Sequence, residues 1–161
     1  MPKSSWKSIL YLVKCGIIDR KGSGSTRLIL ASGSRGRREV LDKVGFSYEA
    51  RASNISEVSD KTDPREYVMD LSRQKALCVS EFYKDGVIIG ADSIVYINGK
   101  KLEKPKSLEE AREMMRELSG KVNEAYTGLR LLIYTKIKRQ HLVKLRVFVL
   151  ISLARKRLIS I

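Results

Sequence analysis

Apolar and polar positions recur with two different periods along the chain, and the switches between them mark elements. Leu28-Ile29-Leu30-Ala31 is a short unbroken apolar run, the pattern of a buried strand. A Ser/Gly-rich turn follows. From Arg37 to Val44, the residues Val40, Leu41 and Val44 fall on one helical face, and Gly45 suits the helix stop. Phe46, Tyr48, Ala50 and Ala52 alternate with polar neighbours, which predicts a strand.

Asp63-Pro64-Arg65-Glu66 starts a second helix. Asp63 can cap, Pro64 suits the first helical position, and Glu66 completes a capping box. The helix is expected to reach about Tyr83, with Tyr67, Val68, Leu71, Cys78 and Phe82 on its apolar side. Val87 to Ala91 reads as a buried strand that continues from Ser93 to Ile97, and Asn98-Gly99 is a strong hairpin signal. Ser107-Leu108-Glu109-Glu110 opens a third helix with Ala111, Met114, Met115 and Leu118, ending at Gly120. Glu124 to Ile133 returns to strand. The order β-α-β-α-β-β-α-β predicts an α/β fold with a mixed twisted sheet flanked by helices.

The last 28 residues break this regularity. The segment 134–161 has no Asp, Glu, Gly or Pro, and its pattern fits a strand or a helix equally well. Charge marks the same boundary. The chain of 161 residues carries a formal net charge of +14. Residues 1–27 hold six Lys/Arg against Asp19 alone, and residues 134–161 hold eight against none. The body between them is near neutral, at +1. Three segments result: a basic extension over 1–27 that ends in a Gly/Ser joint, a body over 28–133, and a basic tail over 134–161.

Composition narrows the chemistry. His141 is the only histidine, which excludes a His-based zinc site or a Ser-His-Asp triad in the body. Cys15 and Cys78 form no metal or redox spacing and read as reduced thiols of a cytoplasmic chain. The apolar run Val147 to Ala154 is far shorter than the roughly 20 residues that a membrane span needs.

Four constellations carry candidate chemistry. Ala31-Ser32-Gly33-Ser34-Arg35-Gly36-Arg37-Arg38 lies where a strand hands over to a helix. Backbone N–H groups, hydroxyls and arginines there suit phosphate, although a solvated basic turn has the same residues. No Gly-Lys-Ser/Thr follows, so it is not a Walker motif. Asp92 interrupts an apolar strand. A carboxylate there is costly unless paired or metal-bound, so it is a metal ligand, a general base or a hydrogen-bonded structural acid. Lys104 lies on the return arm of the hairpin. A two-residue loop sets Lys104 opposite Ser93 and away from the Asp92 face, whereas a bulged three-residue loop puts both on one face. Glu57 follows a strand and is either a second metal ligand or a surface acid. Lys75 breaks the apolar side of its helix and either points into a site or snorkels to solvent.

Taken together, these stretches resemble the Maf family of septum-formation-inhibitor-like nucleoside triphosphate pyrophosphatases. Leu28 to Ser34 with Arg37-Arg38-Glu39-Val40-Leu41 resembles the family's opening. Leu71 to Ala76, Ile89 to Val95, Leu102 to Pro105, Leu118-Ser119-Gly120 and Tyr126-Thr127-Gly128 follow in the family's order. The resemblance covers about residues 28–133. It implies a Maf/ITPase-like fold and hydrolysis of a nucleoside triphosphate, dTTP/UTP-like or modified, to the monophosphate and pyrophosphate. It implies a divalent metal, Mg²⁺ or Mn²⁺. It places phosphate contacts on Ser32, Ser34, Arg37, Lys75 and Lys104, metal binding on Glu57 and Asp92, and activation of the attacking water on Asp92.

The family pattern also has departures here. Arg35-Gly36 stands where the family has Pro-Arg, and Asn123 stands where it often has His. The D-K-A-G-A-Y-G-I-Q-G segment has no counterpart in 134–161, so the C-terminal lobe is expected to be incomplete. A shifted reading frame or an altered gene end is the leading explanation, and a genuine replacement element is the alternative. The partner expected is a nucleoside triphosphate, with no nucleic acid and no membrane span, and with a homodimer left open. The competing function is a catalytically impaired remnant that binds nucleic acid or a partner through its basic ends.

Overall fold

The computed structural model describes residues 26–102 and 105–134, and the backbone of a strand over 146–157. Among the described residues, six strands form one mixed sheet. Strand β1 (Leu28–Ala31) leads into helix α1 (Arg35–Lys43), and β2 (Glu49–Ala50) returns beside β1 in parallel. Helix α2 (Pro64–Ser80) precedes the long β3 (Gly86–Ile97), which hairpins into β4 (Lys100–Leu102). Helix α3 (Leu108–Leu118) leads to β5 (Val122–Tyr134), followed by β6 (Arg146–Arg157). The sheet order is β2-β1-β3-β5-β6, with β4 paired to β3. The β1–β3 pair is parallel, and β3–β5 and β5–β6 are antiparallel.

The apolar runs become strands because both faces of the sheet are covered. Leu28, Leu30, Val87, Ile89, Leu129 and Leu131 point to one face and pack with Leu41 and Phe46. Ile29, Ala31, Ile88 and Leu132 point to the other, against Ala76 and Val79 of α2. Helix α2 begins where the capping signals place it, with the Asp63 carboxylate accepting from the Arg65 and Glu66 amides at 2.9 and 3.0 Å. It lies on the sheet unusually closely. A Cβ at Gly90 would sit 2.1 Å from the Ser72 carbonyl oxygen, and one at Gly128 would sit 2.4 Å from that of Val68. Both positions must be glycine for the helix backbone to touch β3 and β5.

Several sequence expectations shift. The alternating stretch Phe46–Ala52 yields a strand only at Glu49–Ala50. The Phe46 amide is taken by the Leu41 carbonyl at 3.0 Å, so the chain is still closing α1 there. Phe82 lies beyond the end of α2, is 59% exposed, and stacks under the Arg51 guanidinium at 3.7 Å. The buried face of α2 is Val68, Leu71, Ser72, Lys75, Ala76 and Val79. Helix α3 is capped by Ser107 as expected, yet none of its residues is fully buried among the described residues.

The hairpin has the two-residue loop. Asn98 and Gly99 both take positive φ, and Ile97 pairs with Lys100. Within the tail, the backbone from Arg146 to Arg157 is strand, paired with β5 from Val122 to Ile133. The basic extension over 1–25, Cys15 and His141 lie outside the described residues.

Candidate nucleotide site

One cavity of about 790 Å³ opens on the α2 side of the sheet, at the end of β1. Five segments supply its chemistry. The turn after β1 contributes Ser32, Gly33 and Ser34, and α1 adds Arg37. The connection after β2 contributes Glu57, and α2 contributes Lys75. Strand β3 contributes Asp92 and Ser93. Six of the seven sequence candidates therefore meet in one place: Ser32, Ser34, Arg37, Glu57, Lys75 and Asp92. Lys104 lies outside the described residues.

The centre of the site is a bridged ion group. The Lys75 ammonium is 2.6 Å from Asp92 Oδ1 and 3.0 Å from Glu57 Oε1. Lys75 and Asp92 are only 6% and 5% exposed, whereas the Glu57 side chain is 43% exposed. Local folding explains the meeting. Asp92 shares a face of β3 with Gly90, and Gly128 lies opposite it on β5. These two glycines bring α2 down, and Lys75 stands one residue before Ala76, which meets Gly90. The lysine is thus carried onto the carboxylate by the helix seating. In the structure the Asp92 carboxylate is paired with Lys75.

Beside this centre lies a guanidinium held by hydroxyls. Arg37 donates to Ser32 Oγ at 2.9 Å and to Ser93 Oγ at 3.4 Å. Ser93 Oγ is 3.1 Å from Thr127 Oγ1 on the neighbouring strand. Ser32 Oγ also accepts from the Ser34 amide at 3.2 Å. Burial pulls the Arg37 guanidinium below its ordinary value, and the charges of Asp92 and Glu57 oppose that pull. Ser34 occupies the N-cap position of α1, but its hydroxyl makes no capping bond. The turn therefore offers a helix N-terminus, two serines and an arginine to an anion. Arg35 pairs with Glu39 at 2.9 Å on the exposed side of α1 and does not line the cavity.

The donor set suits a hard divalent cation. Mg²⁺ takes one or two carboxylates and fills its remaining positions with water and phosphate oxygens. Glu57 and Asp92 supply two carboxylates around one common point, the Lys75 ammonium. Among the described residues no three His, Cys, Asp or Glu side chains converge.

Sequence reasoning missed three lining residues, Ser93, Tyr67 and Lys101, and the neighbour of Ser93, Thr127. Ser93 and Thr127 face each other across β3 and β5, and their signal was a hydroxyl within each apolar strand. Tyr67 appeared to belong to the apolar side of α2, and Lys101 had no signal beyond the hairpin. Both line the cavity, with Lys101 Nζ 3.0 Å from the Tyr67 hydroxyl.

Among the described residues no helix is long and apolar enough to cross a membrane. In overall fold the chain is similar to the Ham1 protein of Staphylococcus aureus, with a TM-score of 0.50 at 10% identity. That alignment covers 82% of this chain and 71% of Ham1. Among curated proteins, a dTTP/UTP pyrophosphatase of Thermoanaerobacter sp. is 44% identical over 104 residues, 64% of this chain and 54% of that protein. Another from Pyrococcus abyssi is 46% identical over 101 residues, 63% of this chain and 54% of that protein. The chain therefore spans about half the length of the curated relatives it matches. The family described as Maf-like protein matches residues 27–154, past the last motif of the body and into β6. Because that match takes in most of the sequence, from the strand that enters the cavity to the edge of the sheet, this chain belongs to the Maf family.

Proposed function

We propose that the chain hydrolyses a nucleoside triphosphate of the dTTP/UTP kind to the monophosphate and pyrophosphate, with a divalent metal, in the body over 28–133. The single observation that carries this reading is the buried Lys75 bridge between Asp92 and Glu57, set beside the Arg37–Ser32 cradle in one cavity. The names of the relatives support the same reaction.

The reaction adds water across the bond between the α-phosphorus and the bridging oxygen of the β-phosphate. Water supplies the oxygen that becomes part of the monophosphate, and pyrophosphate leaves with the bridging oxygen. Such a displacement needs positioning and neutralisation of charge more than covalent chemistry. Ser32, Ser34 and Arg37 hold the phosphate chain through amide, hydroxyl and guanidinium donors. Asp92 accepts the proton of the attacking water through a carboxylate oxygen. Lys75 orients that carboxylate and supplies positive charge to the phosphates, and Lys104 is assigned the same phosphate role from its motif. A bound Mg²⁺ or Mn²⁺, held by Glu57 and Asp92, would add Lewis-acid stabilisation of phosphate charge.

The test is pyrophosphate release from a panel of UTP, dTTP, CTP, GTP and ATP by the full chain, with Mg²⁺ and with chelator. Release from at least one nucleotide, abolished by chelator, is expected. Absence of release from the whole panel in Mg²⁺ and in Mn²⁺ contradicts the proposal.

A further inference from the structure

We infer that Gln74 is a positioning residue for Glu57. Its side-chain amide pins the turn that carries Glu57 and so sets where the second carboxylate of the candidate metal site stands, which rests on the metal role proposed for Glu57.

Glu57 reaches the site on an irregular segment. Residues 51–62, between β2 and α2, form neither helix nor strand, and none of them is buried. Val58, beside Glu57, is 71% exposed. Apolar burial therefore does not hold this segment, yet Ala52, Ser53, Asn54, Ile55 and Glu57 form one wall of the cavity. The ion pair of Glu57 with Lys75 does not fix it either. The Glu57 side chain is 43% exposed, and ion pairs in contact with water constrain geometry weakly.

Helix α2 supplies the hold. Residues four apart stack in rows along a helix. Tyr67, Leu71 and Lys75 form the row that lines the cavity. The neighbouring row is Gln74 and Cys78, both half-buried, with Phe82 just past the helix end. This row meets the segment at three points. The Arg51 guanidinium lies 3.7 Å from the centre of the Phe82 ring, the Cys78 thiol donates to the Ser53 carbonyl at 3.1 Å, and Gln74 Nε2 donates to the Val58 carbonyl at 3.0 Å. The segment thus runs antiparallel to α2, and Gln74 is the contact nearest Glu57. The Val58 amide donates to the Ser56 carbonyl at 2.8 Å, which closes a three-residue turn with Glu57 at its tip. Gln74 grips the far end of that turn. Its Nε2 also donates to Asp70 Oδ2 at 2.8 Å. Both partners only accept, so both amide hydrogens are engaged and the orientation of the amide is fixed. Because Gln74 precedes Lys75, one turn of α2 places both the ammonium that Glu57 meets and the amide that holds its backbone.

The experiment measures equilibrium binding of Mn²⁺, from the spin-resonance signal of the free ion, to the full chain and to Glu57→Gln, Gln74→Leu and the double variant. Hydrogen exchange over residues 51–62 and the urea midpoint are measured on the same proteins. Gln74→Leu is expected to weaken Mn²⁺ binding about tenfold, as loss of a residue that orients a metal ligand does. Because Gln74 acts through Glu57, the double variant binds no more weakly than Glu57→Gln alone. Exchange in Gln74→Leu quickens over 51–62 and not over α2, with the midpoint near that of the parent. Parent-like Mn²⁺ affinity in Gln74→Leu overturns the inference alone. So does a double variant weakened by the product of the two single effects, and so does a collapsed midpoint, which assigns Gln74 to the fold instead. If the parent binds no Mn²⁺, or Glu57→Gln binds it as the parent does, the metal role of Glu57 fails and the inference with it.

Discussion

The seating of α2 on the sheet can be tested with a single methyl group. In Gly90→Ala the new Cβ would lie 2.1 Å from the Ser72 carbonyl oxygen, 2.7 Å from Ala76 Cβ and 2.9 Å from the Ala76 nitrogen. Two of these three atoms are backbone, so no side-chain rotation relieves the clash. An ordinary carbon–oxygen contact is about 3.3 Å, and the helix must retreat by roughly 1 Å to restore it. Overpacking of this kind costs about 1–3 kcal/mol. Lys75 lies between Ser72 and Ala76 and moves with them. Its 2.6 Å bond to Asp92 then stretches beyond hydrogen-bond range. Urea unfolding of the full chain reads the first effect as a lower midpoint at unchanged slope. Tripolyphosphate binding reads the second as a loss of about tenfold or more, since a misplacement near 1 Å is felt strongly at such sites. A Gly90→Ala protein with the parent's midpoint and affinity would refute the claim that this helix contact builds the site.

Other consequences follow from the same geometry. Lys75→Met leaves Asp92 buried without its cation and should cost about 3–5 kcal/mol in urea unfolding, and adding Asp92→Leu should recover most of that loss. Additive losses in the double variant would contradict the pairing. Glu57→Gln removes only the half-exposed partner and should change stability by less than about 1 kcal/mol in the same assay. Thr127→Val removes the hydroxyl that steadies Ser93 and, through it, Arg37. It should weaken tripolyphosphate binding several-fold with little change in unfolding midpoint, and unchanged binding would remove Thr127 from the phosphate cradle. Asp63→Ala deletes the cap of α2 and should cost about 1 kcal/mol of stability.

Much of the fold was legible because its signals are local. Asn98-Gly99 demands positive φ at both positions, and the hairpin register follows directly. Asp63 and Ser107 cap helices at the predicted places because a short side-chain oxygen satisfies amides two or three residues on. Signals that depend on distant partners were less legible. Alternation at Phe46–Ala52 resembles a strand, but Phe46 is drawn back to Leu41 and into the core. The apolar face of α3 promises burial that no described element provides. Nothing in the order of residues announces that Gly90 and Gly128 are contact points, because their meaning lies in the backbone of α2. The tail's pattern fitted helix and strand equally, and only pairing with β5 gives residues 146–157 their strand form.

The candidate site shows the same division. The motif residues Ser32, Ser34, Arg37 and Asp92 stood at strand–helix junctions or interrupted apolar runs, so their chemistry could be read. Lys75 and Glu57 looked ordinary alone and gain meaning from a shared approach to Asp92 across three elements. Tyr67 and Lys101 could not be joined by sequence reasoning, since they come together only when α2 crosses the hairpin.

In the proposed reaction Asp92 acts on the attacking water while Lys75 and Arg37 carry the phosphate charge. The most direct measurement is pyrophosphate release from UTP in Mg²⁺ by the full chain and by Asp92→Asn, which keeps the shape of the side chain and removes its basicity. Release by the parent and a fall of at least a hundredfold in kcat for the variant are expected. Equal rates in the two proteins would contradict that role of Asp92.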